Sequence, residues 1–399
     1  MVNPNSVEQN PEEGDYGVAI RQTERWRKQS KKQKIEGEME FNPDLGDRLE
    51  VDTRLRYHLA SKLGCMAGEL SFPKDFEEIA EGSKPKGYIG FIEADGNRFG
   101  EILKQLKEVV ARKSAKDQIA AYENFSKMLK ETTKEAVIEA TVSVLEKALR
   151  DSNAKLIPMR ILFLGGDDVM LAIQAEYALE FADEFCRRFQ EIAERKKVEA
   201  LKDIQLPTFT MSAGVVIAHH NVPFLSLHRM SSELLKNAKK RSWKSWEQKK
   251  AGAVDFQIIT GSNTEDLKTV REELYTTREG EEEILLTGRP YLVSPNGDEL
   301  SELLIAVENL RSAGIPRSQL NQLSRIMRLG EERGRLAFHR WFLRIGGEGE
   351  NELKDAIRSA LKTKDKIPDL WKKDQRAGGS GRLYCPLMDV VELLNLFAS

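Results

Sequence analysis

Two apolar runs, KLIPMRILFL and VMLAIQ, flank Gly165-Gly166-Asp167-Asp168 within Lys155 to Gln174. Apolar runs joined by so short a Gly/Asp connection predict a tight β-hairpin with the aspartates at its tip. Gly87 to Asp95 (GYIGFIEAD) predicts a strand over about 87–94, followed by a Gly-containing turn and a helix over about 97–112. Amphipathic spacing then predicts a long helical region, Lys116 to Arg150, and after the hairpin a helix from Glu176 to about Val198. A strand over 208–218, a helix over 225–241 and a closing strand over 252–259 complete this pattern. Beyond it, 263–288 is acidic and polar and predicts an exposed excursion. Helical spacing returns near 297–313, 317–329, 331–346, 350–363 and 386–397, which predicts a bundle.

Composition narrows the class. The chain has 399 residues, 40% hydrophobic and 32% charged, with a net charge of −2. That suits two or three globular domains and excludes a protein that coats nucleic acid over its whole surface. Cys65, Cys186 and Cys385 are far apart and form no CxxC pair, which argues for a reducing, cytoplasmic setting without zinc or a disulfide framework. No apolar stretch reaches the ~18–20 residues that span a membrane, so no membrane association is expected. A basic run from Arg21 to Lys34 surrounds Trp26 and reads as a solvated tail or as an arm for RNA phosphates. Arg325, Arg328, Arg333, Arg335, Arg340 and Arg344 offer a second surface for RNA or a partner subunit.

The candidate chemistry is carboxylate chemistry. Asp95 closes a strand where a helix begins, and Asp167 and Asp168 share a hairpin tip, where like charges repel unless a cation joins them. A plain turn would do without the second carboxylate. If the strands are neighbours, the three carboxylates make a two-metal site of the phosphoryl-transfer type. Oxygen ligands with no nearby His or Cys favour Mg²⁺ or Mn²⁺ over Zn²⁺. Lys239, Lys240 and Arg241 end the 225–241 helix, where they suit the helix dipole or let one of them, Lys239 foremost, reach a triphosphate. His219 and His220 alternate across a strand and cannot chelate one ion together. One is expected buried and hydrogen-bonded, the other near the pocket rim.

IEADGNRFGEIL, LFLGGDDVMLAI, SAGVVIAHHNVPFLSL and LLKNAKKRSWK, in that order, resemble the blocks of the GGDD palm domain in the large subunit of type III CRISPR effector complexes. The resemblance covers about 87–261 and extends more weakly into the C-terminal third. It implies a cyclic-oligoadenylate synthetase with an α+β fold: a ferredoxin-like palm of the nucleotidyl cyclase type, with an antiparallel sheet and helices on one face, followed by a C-terminal helical bundle. The expected division is 1–85 (basic arm and helical lead-in), 86–261 (palm) and 262–399 (helical domain). By the resemblance, Asp95 and Asp167 are metal ligands for two Mg²⁺ or Mn²⁺ ions, and Asp168 is a ligand or the group that deprotonates the attacking 3′-hydroxyl. The turn Gly96, Asn97, Arg98, Phe99, Gly100 would cradle the triphosphate of ATP, with Phe99 as an apolar wall. Gly165 and Gly166 belong to the nucleotide site, as do Lys239 and Lys240, and Ser212 would read a purine edge. Asn97 stands where the family often has Asp, and Glu93 lies on the same face as Asp95 but deeper. No His-Asp dipeptide occurs, so no DNase activity is expected. Implied partners are ATP with RNA-guided effector subunits and guide or target RNA, or a second copy in a palm-to-palm homodimer. The alternative is a non-catalytic or ATP-binding scaffold subunit of an RNA-guided ribonucleoprotein.

Overall fold

The computed structural model describes residues 43–201, 204–260, 266–297, 299–346, 349–376 and 381–397. The basic run around Trp26 lies outside them. A helix, α1 (Pro43–Leu63), and a short α2 (Phe76–Glu81) lead into β1 (Tyr88–Gly96). Then come α3 (Phe99–Val110), α4 (Ala115–Ser152), the hairpin β2 (Met159–Gly165) and β3 (Asp168–Gln174), and α5 (Ala178–Ala200). The pattern closes with β4 (Met211–His219), α6 (Phe224–Ser245) and β5 (Gly252–Ile259).

The sheet order β2-β3-β1-β4-β5, extended by β8 (Tyr291–Val293), contains the ferredoxin-like core expected from the sequence. β2, β3, β1 and β4 pair antiparallel in turn. β5 departs from that pattern and joins β4 in parallel, because α6 carries the chain back across the sheet before β5 begins. The helices also do not share one face. Ile92, Ala94, Val215 and Ile217 pack with α4 and α5, whereas Ile89, Phe91, Val216 and Ala218 pack with Leu227, Met230 and Leu234 of α6. An unbroken apolar strand implies cover on both faces, and β4 is buried along nearly its whole length. Gly214 brings α6 close, since a Cβ there would meet the Leu235 nitrogen at 2.6 Å.

The acidic stretch from 266 is more ordered than its composition suggests. It forms α7 (Leu267–Leu274), then β6 (Thr276–Glu279) and β7 (Glu282–Leu285). These two strands join β9 (Lys372–Lys373) and β10 (Leu383–Tyr384) in a second small sheet. The helices α8 (Glu299–Ser312), α9 (Arg317–Met327), α10 (Glu331–Leu343), α11 (Glu350–Ala360) and α12 (Leu387–Phe397) follow the predicted bundle closely. β8 pairs with β5, so the palm sheet takes a strand from beyond 261. Two buried ion pairs tie the parts together. Arg241 of α6 meets Glu299 of α8 at 3.0 Å, and Arg289 meets Asp389 of α12 at 2.9 Å. Among the described residues no helix is long and apolar enough to cross a membrane.

Candidate active site

Strand register brings the aspartates together. The last β1–β3 pair is Ala94 with Val169, so one step further Asp95 stands level with Asp168. β2 and β3 turn through Gly166 and Asp167, Gly165 pairing with Asp168. Gly166 takes a φ of 59°, which an L side chain would resist. Asp167 thereby swings back toward Asp95, and carboxylate oxygens of Asp95, Asp167 and Asp168 all lie within 4.8 Å of one another. The hairpin tip is pinned from behind: Thr133 of α4 donates its hydroxyl to the Gly166 carbonyl at 2.7 Å. A buried threonine within an apolar helical stripe was the sequence signal for that contact.

Three acids so close oppose one another. Burial, then the Asp95 charge, pushes Asp167 up to about 6 and Asp168 up to about 7. Lys239 of α6 forms an ion pair with Asp95 and offsets part of the repulsion. An all-oxygen cluster in which burial and a neighbouring charge raise both Asp167 and Asp168 is a setting that a hard divalent cation would relieve. The residues present therefore fit Mg²⁺ or Mn²⁺.

The rest of the predicted set divides. Gly96 stands against the site, because a Cβ there would overlap the Phe99 ring and come 2.8 Å from Asp167 Oδ2. The Phe99 ring points inward, edge-on to Phe125, Phe189 and Phe209, and is buried core rather than a wall over a ligand. Gly100 is exposed, with open space where a side chain would go. Asn97 and Ser212 are also buried. Asn97 Nδ2 donates to Thr210 Oγ1, and Ser212 donates to Asn97 Oδ1 while accepting from the Ala253 N–H. Ser212 thus has its hydrogen committed inside the protein, which disfavours its reading of a base. Arg98, in the left-handed region at φ 62°, directs its guanidinium to Glu101 and over the rings of Trp243 and Trp246.

Lys240 is exposed on another side of α6. It lines a cavity of about 850 Å³ with Lys236 and Arg271, and none of the three aspartates lines that cavity. A second cavity, about 540 Å³, lies between Tyr88, Tyr275 and α12 and is likewise free of them. His219 pairs across from Tyr88, at the end of β1 opposite Asp95. Neither His219 nor His220 is fully buried, and His219 contacts Asn221 at 2.8 Å. Glu93 is deeper than Asp95, as strand alternation required. It is engaged by His228 and accepts from Ser231 at 2.6 Å and Ser232 at 2.8 Å, all on α6. That network fixes α6 to β1 one step behind the Lys239–Asp95 contact; only the apolar spacing of α6 was legible beforehand.

Residues 88–246 match the family model of the Cas10/Cmr2 second palm domain. Similar solved structures include Csm1 of T. onnurineus, at 14% identity over 83% of this chain and 41% of that one, with a TM-score of 0.45. A Csm1–Csm4 cassette in complex with cA4 aligns at 14% identity over 81% and 38%, with a TM-score of 0.44. One in complex with pppApA aligns at 14% identity over 81% and 37%, with a TM-score of 0.45. The present chain thus spans about two-fifths of the length of these relatives. Comparison with curated proteins finds no match.

Proposed function

We propose that this chain, whose residues 88–246 match a Cas10/Cmr2 second palm, is a nucleotidyltransferase that joins ATP into cyclic or linear oligoadenylate for CRISPR-type antiviral defence. The observation that carries this reading is the convergence of Asp95, Asp167 and Asp168 on one point beside Lys239. In the reaction the 3′-oxygen of one nucleotide bonds to the α-phosphorus of the next, the bond to pyrophosphate breaks, and the hydroxyl proton leaves.

Asp95 and Asp167 hold the divalent ions, with Asp168 as a further ligand or as the acceptor of the 3′-hydroxyl proton. When bound, such ions lower the pKa of the attacking hydroxyl and neutralise charge on the leaving pyrophosphate. Lys239 sets the position of Asp95 and faces the incoming phosphates. The Gly96–Gly100 turn opens α3, whose first N–H groups favour negative charge. Gly165 and Gly166 shape the tip without side chains in the way of the nucleotide. RNA-guided effector subunits, RNA, or a second copy of this palm are the partners in which a second nucleotide would be presented.

Purified protein incubated with Mn²⁺ or Mg²⁺ and each labelled NTP, resolved by mass spectrometry, tests the proposal. Oligoadenylate made by the wild type and absent with Asp167→Ala/Asp168→Ala is the expected result. No product with or without added RNA and effector subunits would point instead to a scaffold subunit.

A further inference from the structure

Trp243 is 56% exposed, whereas Trp341 and Trp371 are 5% and 4% exposed. An indole left this open forfeits much of the burial that would justify it for folding alone. Its position on α6 gives it a neighbour of interest. Lys239, which meets Asp95, lies four residues earlier, so Trp243 stands one helical turn along the same face, about 6 Å further on. β1 reaches the same place from the other side, since Arg98 is three residues beyond Asp95.

Arg98 fixes the ring. Its guanidinium carbon sits 4.7 Å from the centroid of Trp243 and 4.7 Å from that of Trp246, and its other partner is Glu101 at 2.6 Å. A cation held between two indoles is attracted by both faces and orders both rings. The outcome is a pre-ordered aromatic pair, Trp243 exposed and Trp246 half-buried, one helical turn from the lysine that meets Asp95.

We infer that Trp243, held by Arg98 and Trp246, is the stacking platform for the purine base of a nucleotide whose phosphates lie at Asp95 and Lys239. The inference rests on the aspartate cluster being a nucleotide site, and it adds the base-binding surface that buried Ser212 does not supply. A flat, exposed ring stacks any base, so this platform strengthens binding more than it selects adenine.

The test is equilibrium binding, by calorimetry, of two probes that cannot turn over. One is an ATP analogue with a methylene between the α- and β-phosphorus; the other is inorganic tripolyphosphate. Trp243→Ala is expected to weaken the analogue roughly 5- to 150-fold, the range of one base stacked on an aromatic ring, and to leave tripolyphosphate within twofold. Trp243→Phe should recover most of the analogue affinity. Equal analogue binding by wild type and Trp243→Ala, equal weakening of both probes, or no analogue binding by the wild type would each overturn the inference. Base-dependent binding through Trp243 without any oligoadenylate product would sink the cyclase reading alone. Product formation with an unchanged ATP KM in Trp243→Ala would sink only the platform.

Discussion

Asp167→Asn should stabilise the metal-free protein at alkaline pH while removing the catalytic site. Two carboxylates within 4.8 Å of each other repel by at least ~3.5 kcal/mol at an effective dielectric constant near 20, and Lys239 cancels only part of this. Burial first, and that repulsion second, push the Asp167 carboxyl from 3.8 to about 6 in the folded state. Two pKa units set a ceiling of ~3 kcal/mol, which partial exposure to solvent reduces to ~1–2 kcal/mol. The sign follows from linkage: the folded state binds the proton more tightly than the unfolded chain. The wild type is therefore penalised progressively as pH rises from about 4 to about 6, with no further loss above. Thermal melts in EDTA at pH 4.5 and pH 8 measure it. A gain of ~1–2 °C is expected at pH 8, shrinking to about a third of that at pH 4.5. Saturating Mn²⁺ should raise the wild-type Tm and leave the variant nearly unmoved. A variant less stable than wild type at pH 8, or a gain equal at both pH values, would refute the reasoning.

Gly96→Ala should cost ~1–3 kcal/mol, because its Cβ would overlap the Phe99 ring and crowd Asp167; a denaturant midpoint and the loss of product check both effects. Lys239→Met should raise the KM for ATP by about tenfold or more, through loss of one charge-assisted contact, with Lys239→Arg partly restoring it in steady-state kinetics. Thr133→Val removes the bond that pins the Gly166 carbonyl and should cost ~1 kcal/mol by urea denaturation, with turnover falling more than ATP affinity.

How far the sequence reached depended on how local each cause is. The hairpin and its tip aspartates were legible because a Gly/Asp turn between apolar runs has few other folds. Asp95 was legible as the last residue of an apolar strand. Asp167 and Asp168 meeting Asp95 followed only if their strands were neighbours, and that needed the β1–β3 register. α6 was found by its spacing, but its place on the second face of the sheet is a tertiary choice. It shows in the unbroken apolar run of β4 rather than in the helix itself. The side-chain directions of Phe99, Asn97 and Ser212 were not legible for one reason: a motif fixes where a residue lies along the chain and leaves open which way its side chain turns. All three turn inward, Phe99 to an aromatic cluster and the polar pair to Thr210 and Ala253. Lys240 has the opposite history. Adjacent to Lys239, it lies about 100° around the helix and faces another cavity.

The most direct test of the account is the stoichiometry of products from ATP. Pyrophosphate and new phosphodiester linkages would be counted together for the wild type and for Asp167→Ala/Asp168→Ala, alone and with effector subunits and RNA. The account predicts one pyrophosphate for each linkage in the wild type and neither product in the variant. Release of ADP and inorganic phosphate without linkages, or linkages formed equally by the variant, would contradict it.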